Sequence, residues 1–80
     1  MRRLGDVVRT AQGLAVVRSP DDSTPDIGTP VVDESLTDVG RVVDVFGPVD
    51  RPYVAVSPEG GVRLAGLVGL VGSKVYARDA

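Results

Sequence analysis

An all-β domain is what this sequence predicts, on three observations. Short valine-rich runs recur along the chain, each bounded by Gly, Pro, Asp or Ser. Valine is stiff at χ1 because its β-carbon is branched, and it favours pleated structure. Ten glycines and six prolines in 80 residues interrupt any sustained helical spacing. At this size a small barrel is preferred over a sandwich, because closure removes exposed strand edges.

The elements follow in order. Leu4 to Arg9 is the first predicted strand, closed by a turn at Gln12-Gly13, with Leu14 to Arg18 (LAVVR) as its hairpin partner. Ser19 to Pro30, SPDDSTPDIGTP, reads as a polar loop. Its prolines, Pro20, Pro25 and Pro30, lack an amide donor and are not expected inside a sheet. Val31-Val32 is a short extended piece, and Asp33 to Asp38 a turn. Val39 to Phe46 is the long central strand and Pro52 to Val56 its partner across a hairpin. Ser57 to Gly61 turns again, and Lys74 to Ala77 (KVYA) closes the set.

Composition narrows the function. Residues 1–80 make one domain, and a chain of this length buries only about 60% of its unfolded surface, so its core is marginal. With no cysteine there are no disulfides and no thiolate metal sites; with no histidine the usual zinc sites and the commonest general base are gone. No cofactor or metal is expected. No apolar run approaches the ~18 residues that span a bilayer, and the N-terminus MRRLGDVV does not read as a signal peptide. A soluble, cytoplasmic protein is the expectation. The net charge of −2 and pI of about 4.8 have the wrong sign for gripping nucleic acid through phosphates. Glu34 and Glu59 are the only glutamates and Lys74 the only lysine. That bias toward Asp, Val and Arg fits a high-salt cytoplasm and equally a GC-rich codon bias.

The informative stretch is VGRVVDVFGPVDRPYVAVSP, residues 39–58. Alternate residues of a strand face opposite sides, and here both parities carry bulky apolar side chains. A bulge near Val42-Val43 reconciles part of this. Tyr53-Val54-Ala55-Val56 and Ala15-Val16-Val17 are apolar on both parities too, so the surplus is expected to face outward as a partner surface. Gly47 and Pro48 stiffen the corner, and Pro52 pushes Arg51 into an extended conformation. Such a turn holds Phe46, Val49 and Tyr53 in place before a partner arrives.

Other motifs carry little. Gly69-Leu70-Val71-Gly72 has the G-x-x-G form of a backbone clamp but apolar central residues and no helical setting. Gly72-Ser73-Lys74 is a fragment of a phosphate loop without the rest of it. Asp21-Asp22 and Asp33-Glu34 read as solvated loops rather than metal or acid–base pairs. Ser57 has no histidine to activate it. Arg2, Arg3 and Arg9 read as scattered surface charge.

Residues 39–58 resemble the signature of the Gar subunit of archaeal H/ACA ribonucleoproteins, a V-G-x-V-x-D-V-F-G-P-V-x-x-P-Y-V run. The resemblance extends through LGDVV (4–8), GLAVVR (13–18), Pro25-Asp26-Ile27-Gly28, Val31-Val32-Asp33, and Val71-Gly72 with Lys74-Val75-Tyr76. Residues 59 to 70 are not aligned securely, and the glycine–arginine-rich or lysine-rich tails of relatives have no counterpart here. The resemblance implies a six-stranded barrel of the reductase and elongation-factor kind, a Gar/Naf-type core domain. It implies a non-catalytic subunit that docks directly on a pseudouridine synthase catalytic subunit. Guide RNA and the other H/ACA proteins of the particle are indirect partners. A role in substrate loading and product release during rRNA pseudouridylation follows. The assembly factor that shares this barrel is a related possibility, which the small size of this chain disfavours.

The expected partner-binding residues are Val42, Val45, Phe46, Gly47, Pro48, Val49, Pro52 and Tyr53, the apolar ones as anchors and Gly47, Pro48 and Pro52 for shape. No catalytic residue is expected. The alternative is a small barrel of Sm-like or oligonucleotide-binding type that binds RNA directly, stacking bases on Phe46, Tyr53 or Tyr76.

Overall fold

The computed structural model describes residues 2–20, 22, 24–59 and 68–78. Among these residues there are six strands: β1 (Arg2–Ala11), β2 (Leu14–Arg18), β3 (Pro30–Asp33), β4 (Asp38–Phe46), β5 (Tyr53–Pro58) and β6 (Lys74–Ala77). They close antiparallel into a barrel in the order β1-β2-β5-β4-β3-β6. The expected all-β, six-stranded barrel is therefore the observed fold, with β1 longer than expected at both ends and β5 shifted to begin at Tyr53. Pro30 does join a strand, as its first residue, where no ladder donor is required. Among the described residues no helix is long and apolar enough to cross a membrane. The unaligned stretch 59–70 lies mostly outside the described residues.

Leu4, Val7, Ala15, Val17, Val31, Val39, Val42, Val54, Val56, Val75 and Ala77 form the core, with Val45 and Leu70 packed against it. The apolar residues on the opposite faces of β2 and β5 do not form the outward surplus that alternation suggests. Val16 and Ala55 pair across the two strands and are both buried, at 3% and 4% exposure. β2 and β5 lie side by side between the two long strands β1 and β4, and Val16 and Ala55 on their outer faces are small enough to be covered there.

The barrel is built twice. Leu4-Gly5-Asp6-Val7-Val8-Arg9 and Val39-Gly40-Arg41-Val42-Val43-Asp44 share one pattern, and their environments match residue by residue. Exchanging β1 with β4, β2 with β5 and β3 with β6 reproduces the same ring order. Each long strand is irregular at two equivalent places: Leu4 and Val39 slip against the short strand beside them, Val8 and Val43 against the hairpin partner. The bulge anticipated near Val42-Val43 is thus one of four. Bulges bend and twist a strand, which lets β1 and β4 wrap around the ring.

The loops ahead of β3 and β6 fasten those bulges alike. Gly28 N–H donates to Val42 O at 2.7 Å and Val42 N–H to Thr29 O at 3.0 Å; Gly72 N–H donates to Val7 O at 2.7 Å and Val7 N–H to Ser73 O at 2.9 Å. Backbone groups that a bulge removes from the ladder are satisfied in this way. Crossing strands approach closely at Gly40, where a Cβ would collide with the Ser57 carbonyl; Gly5 meets the Arg18 carbonyl in the same manner.

Candidate functional site

The two hairpins differ where the halves stop matching. In the first, Ala11 pairs with Leu14 around Gln12-Gly13, both at positive φ (53° and 78°), a two-residue turn of the kind that suits strand twist. In the second, the equivalent pair is Phe46 and Tyr53, and residues 47–52 lie between them. Two aromatic rings stand where the first half has alanine and leucine.

This corner is held at several points. Arg51 N–H donates to Pro48 O at 3.3 Å, a turn with Val49 and Asp50 at its tip. Ser19 N–H donates to Pro52 O at 3.0 Å, and Arg51 Nε–H donates back to Ser19 O at 3.2 Å, tying the corner to the end of β2. Gly47 has φ +89°, and a Cβ there would lie 2.9 Å from the Tyr53 ring, so the conformation and the space both call for glycine. The Phe46 and Tyr53 rings stack with centroids 5.6 Å apart and an interplanar angle of 22°. Their geometry is offset rather than free, and it fixes both side chains.

Of the residues expected at a partner surface, the structure brings Phe46, Gly47, Pro48, Val49 and Tyr53 together. Phe46 is 39% exposed and Val49 89%, and Tyr53 is half-buried beside them. Two expectations are corrected. Val42 is wholly inside the barrel at 0% exposure, because the bulge at Val43 keeps it turned to the core and puts its neighbour outside. Pro52 is buried where the corner meets Ser19. Val45 is partly buried against the core and partly open. Val42 and Pro52 support the surface from beneath.

Sequence reasoning missed two residues. Arg18 lies opposite Tyr53 in the β2–β5 ladder, its guanidinium 5.4 Å from the ring centroid, and Arg9 of β1 approaches the same ring at 6.0 Å. Arg18 Nε is buried without a hydrogen-bond partner. The signal for this pairing is the non-local contact of β2 with β5, which no stretch of sequence displays. Arg41 and Asp44 of β4 have separate partners: Arg41 pairs with Glu59 at 3.0 Å and Asp44 accepts the Val45 amide at 2.8 Å. No group of metal-binding side chains occurs among the described residues.

Comparison with known proteins gives a consistent result. The model of the family described as "Gar1/Naf1 RNA binding region" matches residues 1–80. An uncharacterized protein of Methanothermobacter thermautotrophicus is 30% identical over 77 residues, covering 95% of this chain and 82% of its own length. The H/ACA ribonucleoprotein complex subunit GAR1 of Chaetomium globosum is 28% identical over 60 residues, or 75% of this chain. This chain covers 29% of that fungal protein's length. The solved Gar1 domain of Naf1 superposes with a TM-score of 0.76 over 95% of this chain and 79% of its own, at 17% identity, a likeness of fold.

Proposed function

The chain belongs to the Gar1/Naf1 family, and from that premise we propose that it serves in an H/ACA ribonucleoprotein by docking on the pseudouridine synthase subunit through the Phe46–Val49–Tyr53 corner. Its role is accessory, not catalytic. Bound there, it assists the loading of substrate and the release of product while the synthase performs the chemistry, in the cytoplasm.

The observation that carries this reading is the corner itself. A stacked aromatic pair and a nearly bare valine stand on a turn that is closed on itself and bonded to the end of β2 through Arg51 and Pro52. Other large apolar side chains are exposed as well, Ile27 and Leu36 among them. The corner is set apart because its exposed side chains are clustered and held by stacking and hydrogen bonds, the kind of patch that marks a partner surface. Aromatic anchors on a preordered turn lower the ordering cost of association. A stable interface of this kind buries about 1,200–2,000 Å² in total.

Co-purification with the synthase subunit tests the docking, and pseudouridine formation tests the role. Multiple-turnover rates are expected to fall when the chain is withheld, with single-turnover rates changing less, since release and loading are loop-gated steps. Equal rates with and without it in both regimes would reject the role. The family description names RNA binding, so direct RNA contact is the second reading. Tight filter binding of guide RNA by the isolated chain at low salt would favour it.

A further inference from the structure

Arg9, Arg18 and Arg51 lie about the corner of this acidic chain, the first two over the Tyr53 ring and the third bonded to Ser19, and none of them forms an ion pair with a described residue. Elsewhere the described arginines are paired or engaged: Arg3 with Asp6 at 3.1 Å, Arg41 with Glu59 at 3.0 Å, Arg78 with Asp38 at 3.6 Å, and Arg2 likewise. Arg9 and Arg18 have the Tyr53 ring, and Arg18 Nε is buried without a hydrogen-bond partner. The side chain of Arg51, two residues before Tyr53, bonds among the described residues only a backbone carbonyl, that of Ser19. The carboxylates closest by register are committed elsewhere or stand apart. Asp6, opposite Arg18, is held by Arg3, and Asp44, beyond Ala55, accepts the Val45 amide. Asp50 in the turn forms no ion pair with a described residue.

We propose that the corner receives an acidic segment of its docking partner, with an apolar side chain over Phe46 and Val49 and carboxylates on Arg9, Arg18 and Arg51. This rests on the reading of the corner as the synthase-docking surface and names the chemistry on the other side. The physical reason is that the two kinds of group cannot be covered separately. A partner that buries Phe46 also strips water from the guanidiniums around Tyr53, and a charge that loses water without gaining a counter-charge is costly. Guanidiniums already oriented by an aromatic face lose little freedom in taking a carboxylate and suit its planar, two-pronged geometry. An RNA strand fits less well. The Tyr53 ring already holds Phe46 and two guanidiniums, so the open aromatic faces that bases stack on are largely taken, and the whole chain carries −2.

The test is calorimetry of the full chain with the purified synthase subunit at about 0.1 M and about 0.5 M salt, where screening differs strongly. Arg9→Gln and Arg18→Gln are each expected to raise Kd about tenfold at low salt and to flatten its salt dependence. Arg18→Lys should retain part of the salt dependence, having kept the charge and lost the fork. Thermal melts report folding, and if Arg18→Gln does not fold, the exposed Arg9 supplies the same comparison. An unchanged Kd and salt dependence in both glutamine variants, with Phe46→Ala still impaired, overturns the acidic segment and leaves the docking surface standing. A wild-type chain that does not bind the synthase at either salt overturns both. Loss of guide-RNA binding in the glutamine variants, with synthase affinity intact, assigns the arginines to RNA and overturns the proposal.

Discussion

The first half of the barrel, β1 to β3, and the second, β4 to β6, are two copies of one frame with different ends. Gly5 and Gly40 sit under equivalent carbonyls, Val7 and Val42 are both sealed in the core, and Gly28 and Gly72 fasten equivalent bulges. The hairpins diverge: Ala11 and Leu14 close a two-residue turn, while Phe46 and Tyr53 bracket residues 47–52. What is shared holds the barrel together. What is not shared is the candidate docking corner, so one half acts as an internal control for the other.

The comparison can be broken hardest at the glycines. Gly40→Ala puts a Cβ into the Ser57 carbonyl, and Gly5→Ala one into the Arg18 carbonyl. Each is expected to cost about 3 kcal/mol, most of the stability available to a domain this small. Two unaltered melting curves would show that the frames are not built on those contacts. Next come Val7→Ala and Val42→Ala, each expected to lower stability by about 2 kcal/mol through an internal cavity, as read by urea unfolding. A Val42→Ala variant that melts normally yet loses the synthase would return Val42 to the docking surface.

Smaller effects sharpen the division. Phe46→Ala is expected to weaken synthase binding by about 2 kcal/mol with the barrel still folded, whereas a polar change at its counterpart, Ala11→Ser, should leave the affinity alone. Equal affinities for the two variants in calorimetry would erase the distinction between hairpins. Val49→Ser, at the bare tip of the corner, should change stability by less than about 0.5 kcal/mol and affinity by about 1 kcal/mol. If its melting temperature drops as far as that of Val42→Ala, the tip belongs to the fold.

Much of this fold is legible in the sequence. Turn chemistry marks the ends of all six strands to within a few residues, since Gly, Pro and Asp act locally. The corner at Gly47-Pro48 is legible for the same reason. Facing is less so. Strict alternation assigns Val42 and part of β2 and β5 to the outside, and it fails because four bulges reset the parity of β1 and β4 and because Val16 and Ala55 are buried on the second faces of β2 and β5. The arginines around Tyr53 are hidden for another reason: β2 meets β5 across a long separation in sequence, and the register of that meeting is a property of the closed ring. The twofold frame could have been read from the recurrence of L/V-G-x-V-V, short as it is.

Each of the six strands has a neighbour on both sides. Where the ladder runs on both sides of a strand, a visitor's backbone finds no groups to pair with, which leaves open edge only on the far ends of β1 and β4 among the described residues. Side chains and turns are then the main means of choosing company. Such a vocabulary can be edited one residue at a time while the hydrogen-bonded hoop beneath stays as it is.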